Sequence, residues 1–356
     1  MENTIRKIAL LDLDAFFASC EVLKNPNLKD IPFAVGGTSA RSVVATCNYL
    51  AREFGVHSAM PMVRALKLCP KLKIVSGDMN FYKEISQEVF HILQQYTDII
   101  QPASIDEFYL DLSQNDYFDG SASLTMEQIR SDIRKLGITG SAGISNQKMV
   151  AKIASDEKKP DGQFVVHPDK VKDYIAALEL KRIPGVGPKT FEKLLKYKLR
   201  YGADIQQINQ AELVHLLGYR FGTQLYQRCQ GVDNRSVNIH RQRKSVGVEQ
   251  TLFENIKTLE QAHDIFEENL WPKLQERLAK YGKNVGIKAQ TVKLKTQDFN
   301  ITTISRQTHH VSKELFLKLF DEVWLRTNKR EVRLLGISVH LLQGDEKHQL
   351  AFLKLL

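Results

Sequence analysis

No stretch of this sequence approaches the ~18–20 consecutive apolar residues that a membrane span needs, so no transmembrane helix is expected. Cysteine is scarce. Cys20, Cys47, Cys69 and Cys229 stand 27, 22 and 160 residues apart without a C-x-x-C pair, a spacing that gives neither a zinc site nor a disulfide framework. Internal repeats and low-complexity tracts are missing too. The apolar start of the chain, MENTIRKIALLDLDAFF, contains Asp12 and Asp14, which no secretory core segment carries. A reduced, soluble, cytoplasmic protein is expected. What is present is an ordinary globular composition, 43% hydrophobic over 356 residues. That length exceeds what one core organises, so two to four domains are expected.

The net charge of +9 is unevenly spread. Residues 1–165 carry a net −2, residues 166–240 a net +5 and residues 241–356 a net +6. Such a division suits a chain that does chemistry in one part and grips a polyanion with the others, although a merely soluble basic surface gives the same numbers.

Hydrophobic periodicity reads the first 165 residues as mixed α/β. Residues 8–14 form a buried strand interrupted by acids, followed by a helix in FFASCEVLKN. Residues 31–37 and 42–50 are strand-like, and residues 79–97 repeat their apolar positions with a helical period. Residues 99–113 read as two strands meeting near Pro102 to Ser104. ITGSAGIS reads as a strand and KMVAKIAS as a helix. From about Val171 to Gly231, short helices punctuated by glycine suggest a small all-α unit. Residues 234–245 are polar and aperiodic, a linker. Beyond them a strand–helix–strand–strand–helix–strand order gives an α+β unit of about 100 residues.

The acids inside the strands carry the chemistry. Burying carboxylates in a strand core is costly unless something pairs with them. Asp12 follows four apolar residues, and Asp106 and Glu107 are adjacent within a second apolar run. Neighbouring strand residues face opposite ways, so this pair converges only at a distortion or a strand end. One acid from one strand and two from a neighbouring hairpin can make an oxygen cage for hard divalent cations, suited to phosphoryl transfer. Spacing alone leaves open that these acids are turn formers at strand ends. Asp14 reads as a cap for the helix that follows it.

Four blocks, LDLDAFFASCE (11–21), VVATCNYLAREFGVHSAMPMVRALKLCP (43–70), SIDEFYLDLS (104–113) and AGISNQKMVAKIASDEKKPDGQ (142–163), together resemble the Y-family DNA polymerases. IPGVGPKT (183–190) and RKSVGVEQT (243–251) continue the resemblance toward the DNA polymerase IV branch. It runs from about Lys7 to the C-terminus. The fold it implies is a right-handed polymerase, α/β and α+β in several domains. The palm would span 1–14 and 77–165, with small fingers at 15–76. A helical thumb with a helix–hairpin–helix would cover 166–233 and a linker 234–244. An α+β little finger would follow at 245–343 and a C-terminal tail at 344–356.

The resemblance makes Asp12, Asp106 and Glu107 the catalytic, metal-binding carboxylates, with the Leu13 carbonyl as a further ligand. They would hold two Mg²⁺ ions per site, with Mn²⁺ able to substitute. Thr46, Tyr49 and Arg52, their polar groups set a helical turn apart, would bind the triphosphate together with Lys152, with Lys148 placed to assist. Gln147 stands where the family often has Asn, which leaves a contact from that position open. Phe17 would be the steric gate, an aromatic face that leaves no room for a 2′-hydroxyl, while Phe16 is a core aromatic.

Gly185, Gly187 and Lys189 would present backbone N–H groups and a cation to a DNA phosphate, and residues 216–225 read as a looser second copy. In the last domain Lys293 and Lys295 share a strand face. With Arg306, Arg330, Arg333 and the linker cations Arg241, Arg243 and Lys244, they would track the DNA backbone without reading bases. Gln349, Leu350, Phe352 and Leu353 resemble peptides that insert into a sliding clamp. Primer–template DNA, dNTPs and the clamp are the implied partners, for a monomer at the nucleoid. The implied activity is low-fidelity synthesis across damaged template without proofreading. A nucleotidyl cyclase shares the acid arrangement, and a catalytically inactive DNA binder shares the basic surface. Neither explains the whole set of blocks.

Overall fold

The computed structural model describes residues 5–239, 243–281 and 286–342. The clamp residues Gln349, Leu350, Phe352 and Leu353, and Arg241 of the linker, lie outside the described residues. The chain divides into two compact units, one within residues 1–240 and the other built mainly from the described residues after 242.

The first unit opens with β1 (Ile8–Leu13) and α1 (Phe16–Lys24), then β2 (Phe33–Gly36), β3 (Val44–Cys47), α2 (Tyr49–Arg52), α3 (Met62–Leu68) and β4 (Lys73–Val75). Next come α4 (Met79–Gln94), β5 (Ile100–Pro102), β6 (Glu107–Asp111), α5 (Ala122–Arg134), β7 (Gly140–Ser145), α6 (Lys148–Ser155) and β8 (Gln163–Val165). A five-stranded sheet has the order β5-β6-β1-β7-β8, with β1 antiparallel to both neighbours. This central place explains the unbroken apolar run of β1. Ala9, Leu11 and Leu13 pack with α4 and α5, while Ile8 and Leu10 pack with Tyr109, Ala151 and Val237 on the opposite face. Val237 belongs to the segment read as a linker. That segment is docked over residues 233–238, where the Asn238 backbone N–H donates to Gln101 Oε1 at 2.8 Å.

Helix α6 lies so close to the sheet that a Cβ on Gly143 would stand 1.9 Å from the Ala151 carbonyl oxygen. Only glycine admits that approach. A separate three-stranded sheet, β3-β2-β4, carries α2 and α3 and buries Cys47 and Cys69. The four cysteines are all buried free thiols.

Five further helices follow in the same unit: α7 (Val171–Ala177), α8 (Pro188–Lys196), α9 (Gly202–Gln207), α10 (Gln210–Leu217) and α11 (Tyr219–Cys229). The hairpin before α8 turns at Gly185, whose φ of +100° requires glycine, and Pro188 opens the helix where its missing N–H costs nothing. Arg228 of α11 reaches behind this turn and donates to the Pro184 carbonyl at 2.7 Å. The looser second copy corresponds to α10 and α11, joined at Gly218 with φ +83°.

The second unit contains β9 (Ser245–Ile256), α12 (Leu259–Ile265), α13 (Trp271–Ala279), β10 (Ile287–Thr296), β11 (Ile301–Gln307), α14 (Lys313–Leu325) and β12 (Val332–Leu341). Its antiparallel sheet has the order β11-β10-β12-β9, and the helices bury Phe266, Leu274, Phe316 and Phe320 against it. A π turn over Phe266–Leu270 precedes Pro272, where an α-helical carbonyl would meet the proline ring. No helix among the described residues is long and apolar enough to cross a membrane.

Candidate active site

Strand β1 delivers Asp12 at its C-terminal end, directly across from Glu107 at the start of β6. Asp106 precedes β6 in the bend after β5, and its carbonyl accepts from the Leu13 N–H at 2.9 Å. Asp106 thus stands at a strand end, outside the alternation of β6, and lines a pocket with Asp12 that Glu107 does not line. Ser104 fixes the bend: its hydroxyl accepts from the Asp106 and Glu107 backbone N–H groups at 3.2 and 3.0 Å and donates to the Asp106 carboxylate.

Two lysines pair with two of these acids, Asp12 and Glu107. Lys159 Nζ lies 2.8 Å from Asp12 Oδ2 and 2.8 Å from Asp156 Oδ1, and Lys152 Nζ lies 2.5 Å from Glu107 Oε2. Burial raises the Asp12 pKa to about 6, although Lys159 pulls it down. Burial also opposes the Lys159 charge, but Asp12 and Asp156 outweigh it and hold its pKa above the usual lysine range. Among the described residues no three His, Cys, Asp or Glu side chains are drawn together into a metal cage. The donor set nevertheless fits a hard divalent cation: three carboxylates on neighbouring strand ends, all oxygen, with ammonium groups already compensating two of them.

A pocket beside these acids is lined by Asp12, Leu13, Phe17, Thr46, Tyr49, Arg52, Asp106 and Lys159, with Ser58 among its remaining walls. Thr46 sits on β3 rather than on the helix of Tyr49 and Arg52, so strand and helix together bring the three to one wall. Arg52 stacks over the Tyr49 ring at 4.6 Å. Burial, then the Asp14 charge, pushes the Tyr49 phenol up to about 12, so it stays a neutral donor. Phe17 and Phe16 both line the pocket; Phe16 is buried in the core, and Phe17 is only partly buried against it.

Four residues sit elsewhere than expected. Lys152 does not line this pocket; its ammonium is held by Glu107, and the pocket cation is Lys159. Lys148 is buried, donating to Gln101 Oε1 at 2.6 Å and lying 4.5 Å over the Tyr109 ring, with burial lowering its pKa. Gln147 is likewise engaged elsewhere, donating to the Gly231 carbonyl at 3.0 Å. Asp14 is no helix cap. The N-cap is Ala15, without a side-chain bond, and Asp14 is buried among four donors.

Reading the sequence missed Lys159 as the pocket cation, because KKPDG looks like an exposed charged turn. The Ser-x-Asp spacing of Ser104 and Asp106 was a usable signal for the bend.

Gly187 and Lys189 are exposed beside the thumb turn. In the second unit the cations divide. Lys293 pairs with Glu249 at 2.8 Å, Arg330 with Asp298 at 3.0 Å, and Arg243 donates to the Tyr281 hydroxyl at 3.0 Å. Lys244 is exposed next to β9. Lys295 and Arg333 converge on the Phe299 ring at 4.7 and 4.9 Å. Arg306 departs from the expected stripe: it pairs with Glu322 of α14 at 2.7 Å, on the helix side of the sheet.

The family model described as the impB/mucB/samB family matches residues 11–156, and that of its C-terminal domain matches residues 243–352. A model described as the DNA polymerase-iota thumb domain matches residues 181–233. DNA polymerase IV of Vibrio parahaemolyticus is 45% identical over 354 residues, covering 99% of this chain and 100% of that protein. DNA polymerase IV of Colwellia psychrerythraea is 46% identical over 335 residues, 94% of each. Among solved structures, a Y-family DNA polymerase chimera of Dbh and Dpo4 matches with a TM-score of 0.83 at 28% identity, covering 94% of this chain and 98% of that one. The insertion ternary complex of Dbh DNA polymerase matches at 0.66 and 28%, covering 94% and 99%. The chain belongs to the Y family of DNA polymerases, in its DNA polymerase IV branch.

Proposed function

We propose that the protein is a template-directed DNA polymerase that extends primers past damaged template bases, at low fidelity and without proofreading. The observation that carries this reading is the pocket that joins Asp12 and Asp106 to Phe17, Thr46, Tyr49, Arg52 and Lys159. A deoxynucleoside triphosphate needs carboxylates at its reacting end, cations and hydroxyls along the phosphates, and a wall against the sugar.

Asp12, Asp106, Glu107 and the Leu13 carbonyl are the residues that hold two Mg²⁺ ions, or Mn²⁺ in their place. When bound, such ions supply charge neutralisation along the triphosphate and acidify the primer 3′-hydroxyl. Arg52, Lys159, Thr46 and the neutral Tyr49 phenol orient the triphosphate. Phe17 lies under the sugar and excludes a 2′-hydroxyl. Lys152 keeps Glu107 in place from α6. Catalysis is then chiefly positioning and electrostatic stabilisation.

The hairpin at Gly185 and Gly187, with Lys189, takes the phosphate backbone of primer–template DNA, and the cations of the second unit extend that grip. Residues 1–14 with 77–165 act as palm, 15–76 as fingers, 166–233 as thumb and 245–343 as little finger, joined by 234–244. The tail, 344–356, is assigned to a sliding clamp through Gln349, Leu350, Phe352 and Leu353. A monomer working at the nucleoid in the cytoplasm follows from this reading.

Primer extension with Mg²⁺ on undamaged template and on template carrying an N2-alkylguanine, with Asp106→Ala as control, tests it. Extension past the adduct by wild type alone is expected. Tight DNA binding without extension would move the chain to the inactive-binder class.

A further inference from the structure

Asp14 stands two residues beyond Asp12, is 2% exposed, and lines no part of the nucleotide pocket. Its Oδ1 accepts from the Ser141 hydroxyl at 2.7 Å and lies 3.5 Å from the Tyr49 hydroxyl. Its Oδ2 accepts from the Thr139 hydroxyl at 2.9 Å and from the backbone N–H of Asp161 at 2.8 Å. Thr139 and Ser141 sit at the start of β7 and fix the carboxylate to the sheet. The other two donors belong to the elements that carry nucleotide-facing groups. Tyr49 opens α2 and supports Arg52 by stacking. Asp161 lies two residues beyond Lys159.

The turn at Asp161 needs this anchor. Asp161 has φ +50°, an uncommon conformation for a residue with a side chain. Its carboxylate pairs with Arg130 and Arg134, at 2.9 and 2.8 Å. Asp14 takes its backbone N–H and the arginines take its side chain. Held at backbone and side chain, the turn presents Lys159 to Asp12.

We propose that Asp14 is a positioning residue that sets Tyr49 and Lys159 against the triphosphate without touching it. The inference rests on the polymerase reading of the pocket. A carboxylate is suited to the place because it accepts on both oxygens from four donors. Losing it leaves buried donors unpaired and frees two pocket elements at once.

The test is single-nucleotide incorporation with D14A, D14N and Y49F, with primer–template affinity and Tm measured alongside. In D14N the amide oxygen can serve Asp161 and Thr139, while the new NH₂ faces two hydroxyls that can rotate to accept it. D14N therefore keeps the Lys159 turn and removes the acceptor to which Ser141 and Tyr49 both donate. D14A is expected to raise KM for dNTP at least about tenfold, with DNA affinity unchanged. D14N is expected to fall between D14A and wild type, and to add nothing in a Y49F background. A purely structural role would lower Tm and leave KM alone. A D14A KM within twofold of wild type overturns the inference. Should D14A fail to fold, D14N decides: an unchanged KM overturns it, and an increase that disappears with Y49F supports it. Absence of extension by wild type would instead sink the reading of the pocket itself.

Discussion

Phe17 lies face to face on Tyr82, with ring centroids 4.6 Å apart and 12° between the planes. Tyr82 is itself fixed, since its hydroxyl donates to the buried Glu21 at 2.5 Å, and burial and that bond keep the phenol protonated. The aromatic wall of the pocket is therefore two rings deep and backed by α4, so Phe17 cannot retreat from a larger sugar.

Phe17→Ala or Phe17→Val removes that wall while leaving Tyr82 and the acids in place. The expected result is incorporation of ribonucleotides alongside deoxynucleotides, measured as the ratio of kcat/KM for the matched pair. Unchanged discrimination would show that another group reads the 2′ position.

Lys159 and Lys152 differ in what they face, and their variants separate accordingly. Lys159→Ala should raise KM for dNTP at least about tenfold while DNA affinity holds, because its ammonium lines the pocket. Lys152→Ala should affect KM far less, since its ammonium serves Glu107. The reverse order would return the triphosphate to Lys152.

Much of this site was legible in the sequence because the acids break apolar runs that are otherwise easy to read. β1 shows as a continuous hydrophobic run since both its faces are buried, and Asp12 stands out against it. The strand–helix–strand–strand–helix–strand order of the second unit likewise follows from periodicity alone. Lys159, Asp14 and the helix-side Arg306 were not legible. Each owes its role to a partner distant in sequence: Asp12 for Lys159, Ser141 and Asp161 for Asp14, Glu322 for Arg306. Local pattern reports which face a residue takes, and only tertiary pairing decides what waits there.

Asp12 also predicts a pH effect. Its pKa is 3.8 in the unfolded reference and about 6 in the fold. The folded state therefore holds this proton longer, so the contribution to stability is full below 3.8 and is lost as pH rises through about 6. Lys159 stays charged across this range. Asp12→Asn abolishes the titration. In metal-free buffer, the stability of D12N relative to wild type should rise by about 2 kcal/mol between about pH 4.5 and 7. Urea unfolding at the two pH values measures it, and a pH-independent difference would contradict the buried, raised carboxyl.

Gly143 and Gly187 make an opposed pair for stability. Ala at 143 would force its Cβ to 1.9 Å from the Ala151 oxygen and 2.3 Å from the Ser155 nitrogen, both backbone atoms of α6. The helix must lift, at a cost of about 3 kcal/mol or more, and Lys152 leaves Glu107 with it. Gly187 has φ −81° and open space for 4 Å around the methyl that alanine would add, so Gly187→Ala should stay within about 0.5 kcal/mol of wild type. Thermal or denaturant unfolding of both variants checks the contrast.

In the second unit, the cations that converge on Phe299 should matter more to DNA than the one turned toward α14. Lys295 and Arg333 lean on an exposed ring and carry no carboxylate partner in their described contacts, so both charges remain available to phosphates. Arg306 spends its charge on Glu322. Removing Lys295 and Arg333 together should weaken binding on any sequence and reduce the slope of log K against log salt by about 1–2. Arg306→Ala should leave that slope unchanged. Titrations of primer–template DNA at several salt concentrations distinguish the two, and an equal loss of slope in both variants would mean that DNA reaches the helix side of this sheet.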